Sequence, residues 1–132
     1  MTTLRISVLV LAVLTLGAIA TASESVPAGQ IFSGTYDWKD GGSEKLVAEF
    51  VPSGENTWDV TFRFRWNGDD NKWTGTAEGI LSDGEIVSGT ATTGRRNWVF
   101  EATIGDGVMR GQHTEKRKDG SSYETGTFEI RR

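Results

Sequence analysis

The sequence contains no cysteine, two prolines and a single histidine, His113, among its 132 residues. Without cysteine there can be no disulfide and no thiol catalysis, and one histidine is too few for the usual nitrogen and sulfur ligands of zinc. We therefore predict neither a metal nor a cofactor. Basic residues are also in the minority, because 18 Asp and Glu outnumber 14 Lys and Arg and give a net charge of −4. Since binding to phosphate backbones needs a basic surface, nucleic acid is not expected as a partner.

Long apolar runs are confined to the N-terminus. There Arg5 precedes the apolar segment Ile6 to Leu16, and small residues follow up to Ala20-Thr21-Ala22. This order is typical of a signal peptide, so we predict that residues 1–22 are cleaved and that the protein is secreted or periplasmic, with no membrane association afterwards. A retained membrane anchor is the alternative, although the run is short for about 30 Å of hydrocarbon.

The remaining sequence alternates between apolar and polar side chains. From Thr57 to Trp66 the alternation has no exception, which predicts a β-strand with one dry face. After a short leader at residues 23–30, similar segments recur between short loops rich in Gly, Asn, Asp and Ser. The predicted strands are Ile31 to Trp38, Lys45 to Val51, Thr57 to Trp66, Lys72 to Leu81, Glu85 to Thr92, Asn97 to Ile104, Val108 to Glu115 and Ser122 to Ile130. No loop is long enough for a crossover helix.

These features predict an all-β fold, in which residues 31–132 form one eight-stranded antiparallel up-and-down β-barrel, a meander closed on itself. The alternation places twelve of the 13 aromatic residues on the inner face. Five strands also carry an inward glycine, and these are Gly34, Gly75, Gly89, Gly111 and Gly126. Inward glycines favour a sharply curved wall, with room for a ligand as the second interpretation. An outer-membrane barrel, whose apolar face points to lipid, is a weaker alternative because glycines make poor lipid contacts.

The direction of the strands gathers aromatic residues at one end of the predicted barrel. Four of the five tryptophans fall there, whereas Trp58 falls at the far end, and Tyr36 and His113 lie one step inward from the first end. The candidate ligand-binding residues are therefore Trp38, Trp66, Trp73, Trp98, Tyr36 and His113. Tryptophan faces suit a sugar, a fused ring or a cation, so the end is a candidate mouth. Alternatively, the tryptophans plug the barrel.

Charged groups near this end allow further hypotheses. Arg95 and Arg96 are candidates for steering an anionic ligand, or they are a solvated surface offset by nearby aspartates. His113 has the pKa of a general base, but a lone inward histidine is more often a core residue, and no Gly-x-Ser-x-Gly motif accompanies it. We therefore predict no catalytic residue and no enzymatic activity. Asp69-Asp70 lies in a loop with the composition of a calcium site but without EF-hand spacing, which favours a solvated hairpin.

Gly34-Thr35-Tyr36 in the first strand and the recurring Trp/Phe-x-Gly-Thr pattern resemble the avidin and lipocalin class of eight-stranded barrels. The resemblance implies a small hydrophobic or heterocyclic ligand held at one mouth. Asp37 and Trp38 replace the asparagine and serine of avidin-like chains, so biotin binding and individual binding residues are not carried over. In size and N-terminal segment the chain also resembles small secreted β-proteins of bacteria. We expect an exported, non-enzymatic binding module, with a filled structural or interaction protein of the envelope or extracellular space as the alternative.

Overall fold

The computed structural model describes residues 29–132, and these form eight β-strands. The predicted signal peptide, its cleavage after Ala22 and most of the predicted leader lie outside the described residues. The strands are β1 (Gln30–Trp38), β2 (Ser43–Gly54), β3 (Thr57–Trp66), β4 (Asp69–Glu78), β5 (Ile86–Thr92), β6 (Asn97–Gly105), β7 (Val108–Lys116) and β8 (Ser122–Arg131). Gln30, assigned to the leader from the sequence, is the first residue of β1.

The strands form a closed barrel in chain order. Each strand pairs antiparallel with the next, and β1 pairs antiparallel with β8, where Tyr36 faces Phe128 across the seam. The predicted eight-stranded antiparallel barrel is thus confirmed. Its apolar side chains point inward and its polar ones outward, because alternate residues of a strand face opposite sides. Within residues 29–132 no helix is long and apolar enough to cross a membrane.

The β3–β4 hairpin differs from the prediction. A loop of five residues after Trp66 was expected, but only Asn67 and Gly68 separate the strands. Their φ angles of 51° and 83° are those of the left-handed turns that match the twist of paired strands. Asp106 and Gly107, with φ angles of 52° and 74°, make the same two-residue turn between β6 and β7. The predicted loop around Asp69 is therefore a tight hairpin, and Asp69 already belongs to β4.

Two further strand ends differ from the prediction by three residues, while the others differ by two or fewer. β4 ends at Glu78, whereas Leu81 lies in the following connection, where it is buried without being part of a strand. β2 continues to Gly54, and its register against β3 shifts between Pro52 and Gly54. Proline cannot donate a hydrogen bond to a neighbouring strand, so Pro52 suits a position where regular pairing stops.

The middle of the barrel is filled. Its largest wholly enclosed side chains come from five strands and are Phe32, Leu46, Phe50, Phe62, Met109 and Ile130. The end away from the four tryptophans is also closed: the Trp58 indole N–H donates to the Gly79 carbonyl at 2.8 Å, and the Arg132 guanidinium lies 5.1 Å from the centre of the Phe32 ring. Arg132 also donates to the carbonyl of Leu81. The opposite end has room for a ligand between its aromatic side chains.

The inward glycines allow neighbouring strands to approach closely. A Cβ atom at Gly75 would overlap the Thr90 carbonyl oxygen of β5, and one at Gly34 would overlap the Glu129 carbonyl oxygen of β8. These contacts are with backbone, which cannot move aside without breaking the wall. The glycines therefore serve strand packing in a narrow barrel, which favours the curvature interpretation over room for a ligand.

Candidate ligand-binding mouth

A cavity of about 750 Å³ opens at the end where the four predicted tryptophans meet. Trp38, Trp66, Trp73 and Trp98 all line it. Grooves on the outer wall of the barrel are smaller, at about 510, 520 and 550 Å³. A volume between roughly 300 and 1,000 Å³ is typical of small-molecule sites. The arrangement predicted for a mouth is therefore present geometrically, above a filled core.

The four tryptophans divide into an inner and an outer pair. Trp73 and Trp98 stack at 4.2 Å with an interplanar angle of 18°, and each is only 4% exposed. Trp38 and Trp66 meet edge to face at 4.6 Å, and Trp66 remains 47% exposed. The inner pair is thus fixed by packing, whereas Trp66 presents aromatic surface to solvent at the rim.

Tyr36 lies below the cavity and does not line it. Its ring is buried against Trp38 and Trp73, and its hydroxyl donates to Thr125 Oγ1 at 3.1 Å. Burial raises the pKa of Tyr36 to about 12, so the phenol stays neutral. Thr125 does line the cavity and in turn donates to the carbonyl oxygen of His113 at 3.0 Å. Tyr36 therefore supports the floor through Thr125.

His113 is also placed beneath the cavity, enclosed by aromatic rings. Its ring centre lies 4.7 Å from that of Phe62, 4.8 Å from that of Trp73 and 5.0 Å from that of Phe128. Burial lowers the pKa of His113 to about 3, which leaves the imidazole uncharged near neutral pH. Neither ring nitrogen has a hydrogen-bond partner among residues 29–132. His113 accordingly has the surroundings of a core residue.

The mouth contains residues that the sequence pattern did not identify, above all Tyr123 and Glu115. Alternation counted back from Phe128 places Tyr123 on the outer face. The register between β7 and β8 shifts, however: His113 pairs with Gly126 and Thr114 with Glu124, which leaves Thr125 as an extra residue. This bulge turns Tyr123 to the mouth, opposite Glu115. Glu115 shares the inward parity of His113, so the sequence did carry a signal for it.

Charged side chains at the rim make two sets of contacts, one around Glu115 and one around Tyr123. The Glu115 carboxylate lies 3.7 Å from Arg96 Nη1 and 3.5 Å from Arg117 Nε. The Tyr123 hydroxyl donates to Asp40 Oδ2 at 2.8 Å, and Arg117 lies 5.1 Å from the centre of the same ring. Arg96 and Arg117 line the cavity.

The structure thereby separates the two arginines that were predicted to steer an anion. Arg96 belongs to the cavity wall, whereas its neighbour Arg95 is exposed and is not part of the lining. Both residues lie in the turn between β5 and β6, in which the Thr93 N–H donates to the Arg96 carbonyl oxygen at 3.3 Å. Of these two neighbours, Arg96 is therefore the one placed to touch a bound molecule.

Two hydrogen-bond donors of the cavity wall lack acceptors. The indole nitrogens of Trp38 and Trp98 are buried, and neither has a partner among the described residues. Trp58 at the far end differs, because its indole N–H is bonded to Gly79. Leaving a buried donor unpaired costs roughly 1–3 kcal/mol. Both rings line the cavity, although their nitrogens face into the packed wall.

Comparison with protein-family models, with curated proteins and with solved structures found no match to this chain. The resemblance to other barrels is therefore one of architecture, and the site has to be interpreted from its own residues. Residues 29–132 also contain no group of three or more His, Asp or Glu side chains arranged to hold a metal ion.

Proposed function

We propose that this chain is an exported, non-enzymatic binding module that holds a small hydrophobic or ring-containing ligand at the tryptophan-lined end of the barrel. The observation that carries the proposal is the cavity of about 750 Å³ lined by four tryptophans. Aromatic walls favour ring compounds because stacked and edge-to-face pairs stabilise by about 0.5–1.5 kcal/mol beyond the burial of their surface. Export rests on the signal-like segment at residues 1–22.

The barrel interior is divided into a packed core and a cavity above it, and this division supports the proposed function. Most of the core side chains are packed below the cavity, whereas the Trp66 ring lies outside this core and is 47% exposed. A large, half-exposed aromatic side chain beside a cavity costs solubility, which a bound ring would offset by covering it. A barrel whose tryptophans served only as a plug would be expected to bury Trp66 as it buries Trp73 and Trp98, each 4% exposed.

Intrinsic tryptophan fluorescence tests the proposal. The protein would be titrated with a panel of sugars, aromatic heterocycles and fatty acids while the emission intensity and wavelength are recorded. We expect at least one ring compound to quench the emission or shift it to the blue in a saturable manner. A lack of response to every compound in the panel would contradict a ligand mouth and would favour the filled interaction protein.

Substitution of Trp66 then locates the binding site. Because Trp66 is half exposed, Trp66→Ala is expected to lower the unfolding free energy by about 1 kcal/mol or less while weakening ligand binding about tenfold. Ile86→Ala is a matched control, since Ile86 is 59% exposed but lies on the outer wall. Trp98→Ala is unsuitable as the main variant because removing a buried, stacked ring costs roughly 3–5 kcal/mol. Equal ligand affinity in the Trp66→Ala and Ile86→Ala variants would place the ligand elsewhere.

A further inference from the structure

From the polar groups of the mouth we infer the class of ligand: a planar aromatic acid, whose ring packs among the tryptophans and whose carboxylate pairs with Arg96. This inference rests on the proposed binding function and narrows it. Three independent features of the mouth favour an acidic ligand with acceptor atoms over a neutral or cationic one.

The first feature is the supply of donors without acceptors. The buried indole N–H groups of Trp38 and Trp98 belong to rings that line the cavity. These nitrogens have almost no accessible surface, so a ligand reaches them only by shifting the rings. A carboxylate or ring heteroatom can then accept their hydrogen bonds, whereas a purely hydrocarbon ligand or an ammonium group cannot. Hydrogen bonds to ionised acceptors are roughly twice as strong as those between neutral groups.

The second feature is the weak engagement of Arg96. Its closest contact with Glu115 is 3.7 Å, which is longer than a hydrogen bond, and its side chain is 67% exposed. Glu115 is held from its other side by Arg117 at 3.5 Å. Arg96 can therefore turn to a second carboxylate without leaving Glu115 unpaired. A guanidinium binds carboxylates through two parallel hydrogen bonds, which gives specificity as well as affinity.

The third feature is that cationic side chains of the protein already occupy the face of the Tyr123 ring. Arg117 lies 5.1 Å and Lys39 Nζ 5.5 Å from the centre of the Tyr123 ring. A cationic ligand that used the Tyr123 ring would have to displace these groups, and Arg96 and Arg117 in the cavity lining would repel it. The same cations attract an anion toward the mouth, an effect that salt would weaken.

A pair of compounds that differ only in charge tests the inference, namely 2-naphthoate and 2-naphthamide. Calorimetric titrations near neutral pH should show the acid binding about tenfold more tightly than the amide, as expected for one charge-assisted pair. Arg96→Gln should abolish this preference and leave the affinity for the amide within about twofold. Arg95→Gln removes the same charge from the adjacent residue outside the cavity lining and should retain the preference.

Indole N–H resonances give a second readout that does not depend on the arginines. Titration with 2-naphthoate should shift the signals of Trp38 and Trp98, while that of Trp58 stays in place because Gly79 already accepts its hydrogen bond. The Trp66→Ala variant offers a check on assignment, since one of the five indole signals disappears.

The outcomes separate this inference from the proposed function. Equal binding of acid and amide, or equal loss of preference in Arg96→Gln and Arg95→Gln, would overturn the acidic ligand class while leaving a ring-binding mouth. A shift of the Trp58 signal together with those of Trp38 and Trp98 would overturn the direct contact with the indole groups. Failure of both compounds to bind at concentrations up to about 1 mM, the weak end of specific affinities, would overturn the acidic ligand class. The ring-binding mouth itself would be overturned only if the whole fluorescence panel also gave no response.

Discussion

His113 shows how strongly burial in the barrel alters the pKa of a single residue. It is wholly enclosed, and its ring is surrounded by those of Tyr36, Phe62, Trp73 and Phe128. A charged imidazolium at this position would lose its hydration without gaining a hydrogen-bond acceptor among the described residues. The residue that chemistry makes the obvious general base thus has a pKa of about 3, too low for it to take up a proton readily near neutral pH.

This burial predicts a pH dependence of stability. The pKa of His113 is about 3 in the folded protein against 6.5 as its ordinary value. The unfolded chain therefore binds a proton that the folded chain does not, and stability is lost as the pH falls below 6.5 and continues to fall toward pH 3. Between about pH 7 and pH 5 the loss from this residue should be about 2 kcal/mol.

Urea unfolding of the wild-type and His113→Phe proteins at these two pH values measures the effect. Phenylalanine keeps a flat ring among aromatic neighbours but cannot take up a proton, so the variant should lose about 2 kcal/mol less than the wild type over the same interval. Few carboxylates titrate above pH 5, so their contribution is small and is shared by both proteins. Parallel pH profiles for the two proteins would show that His113 is accessible to water or bonded when protonated.

At the level of the strands, alternation and glycine placement predicted nearly all of the architecture. The β3 strand from Thr57 to Trp66 has the bounds expected from its pattern, and each of the five inward glycines lies in the barrel wall. The hairpin loop at Asn67 is shorter than predicted. The polar residues that follow Asn67 and Gly68 resemble a loop in composition, but they pair with β3 as part of strand β4. Charged and amide side chains at a solvent-exposed strand end are indistinguishable by composition from those of a turn.

The site was predictable in its aromatic part and less so in its polar part. Trp38, Trp66, Trp73 and Trp98 followed from parity and strand direction. Tyr123 did not, because the extra residue at Thr125 reverses the parity of the strand, and no residue type marks that position in the sequence. The distinction between Arg95 and Arg96 likewise depends on the conformation of one turn.

Close packing of the strands at the inward glycines predicts that an added methyl group destabilises the barrel. Gly75→Ala should lower the unfolding free energy by roughly 2–4 kcal/mol, because its methyl group would overlap the Thr90 carbonyl oxygen and force the β4–β5 pair apart. Gly105→Ala is a suitable control, since a Cβ atom there meets open space and the change should stay within about 0.5 kcal/mol. Thermal or urea unfolding measures both variants, and equal stability of the two would mean that the wall yields at Gly75.

Considered as a whole, the barrel has one closed end and one open end. Trp58, Leu81 and Arg132 seal the first by contacts between distant parts of the chain, and the tryptophan cavity occupies the second. The filled core lies between them. Because the packed core separates the side chains at the two ends, changes at the ends should be energetically independent.

Arg132→Ala tests this independence. Loss of the contact with the Phe32 ring and of the hydrogen bond to Leu81 should lower the unfolding free energy by about 1 kcal/mol. Ligand affinity at the open end should not change. In the double variant with Trp66→Ala the two losses of stability should add within about 0.5 kcal/mol. A larger deviation in calorimetric unfolding would reveal coupling through the core.

The bulge at Thr125 has a consequence for how this protein can diversify. It separates β8 into a lower part, where Gly126, Phe128 and Ile130 belong to the packed wall, and an upper part that faces the mouth with Tyr123. Deleting or inserting one residue there would exchange the rim side chain for its neighbour and leave the lower part in register. The rim can thus change its side chains through single-residue length changes, while the wall that determines folding is inherited intact.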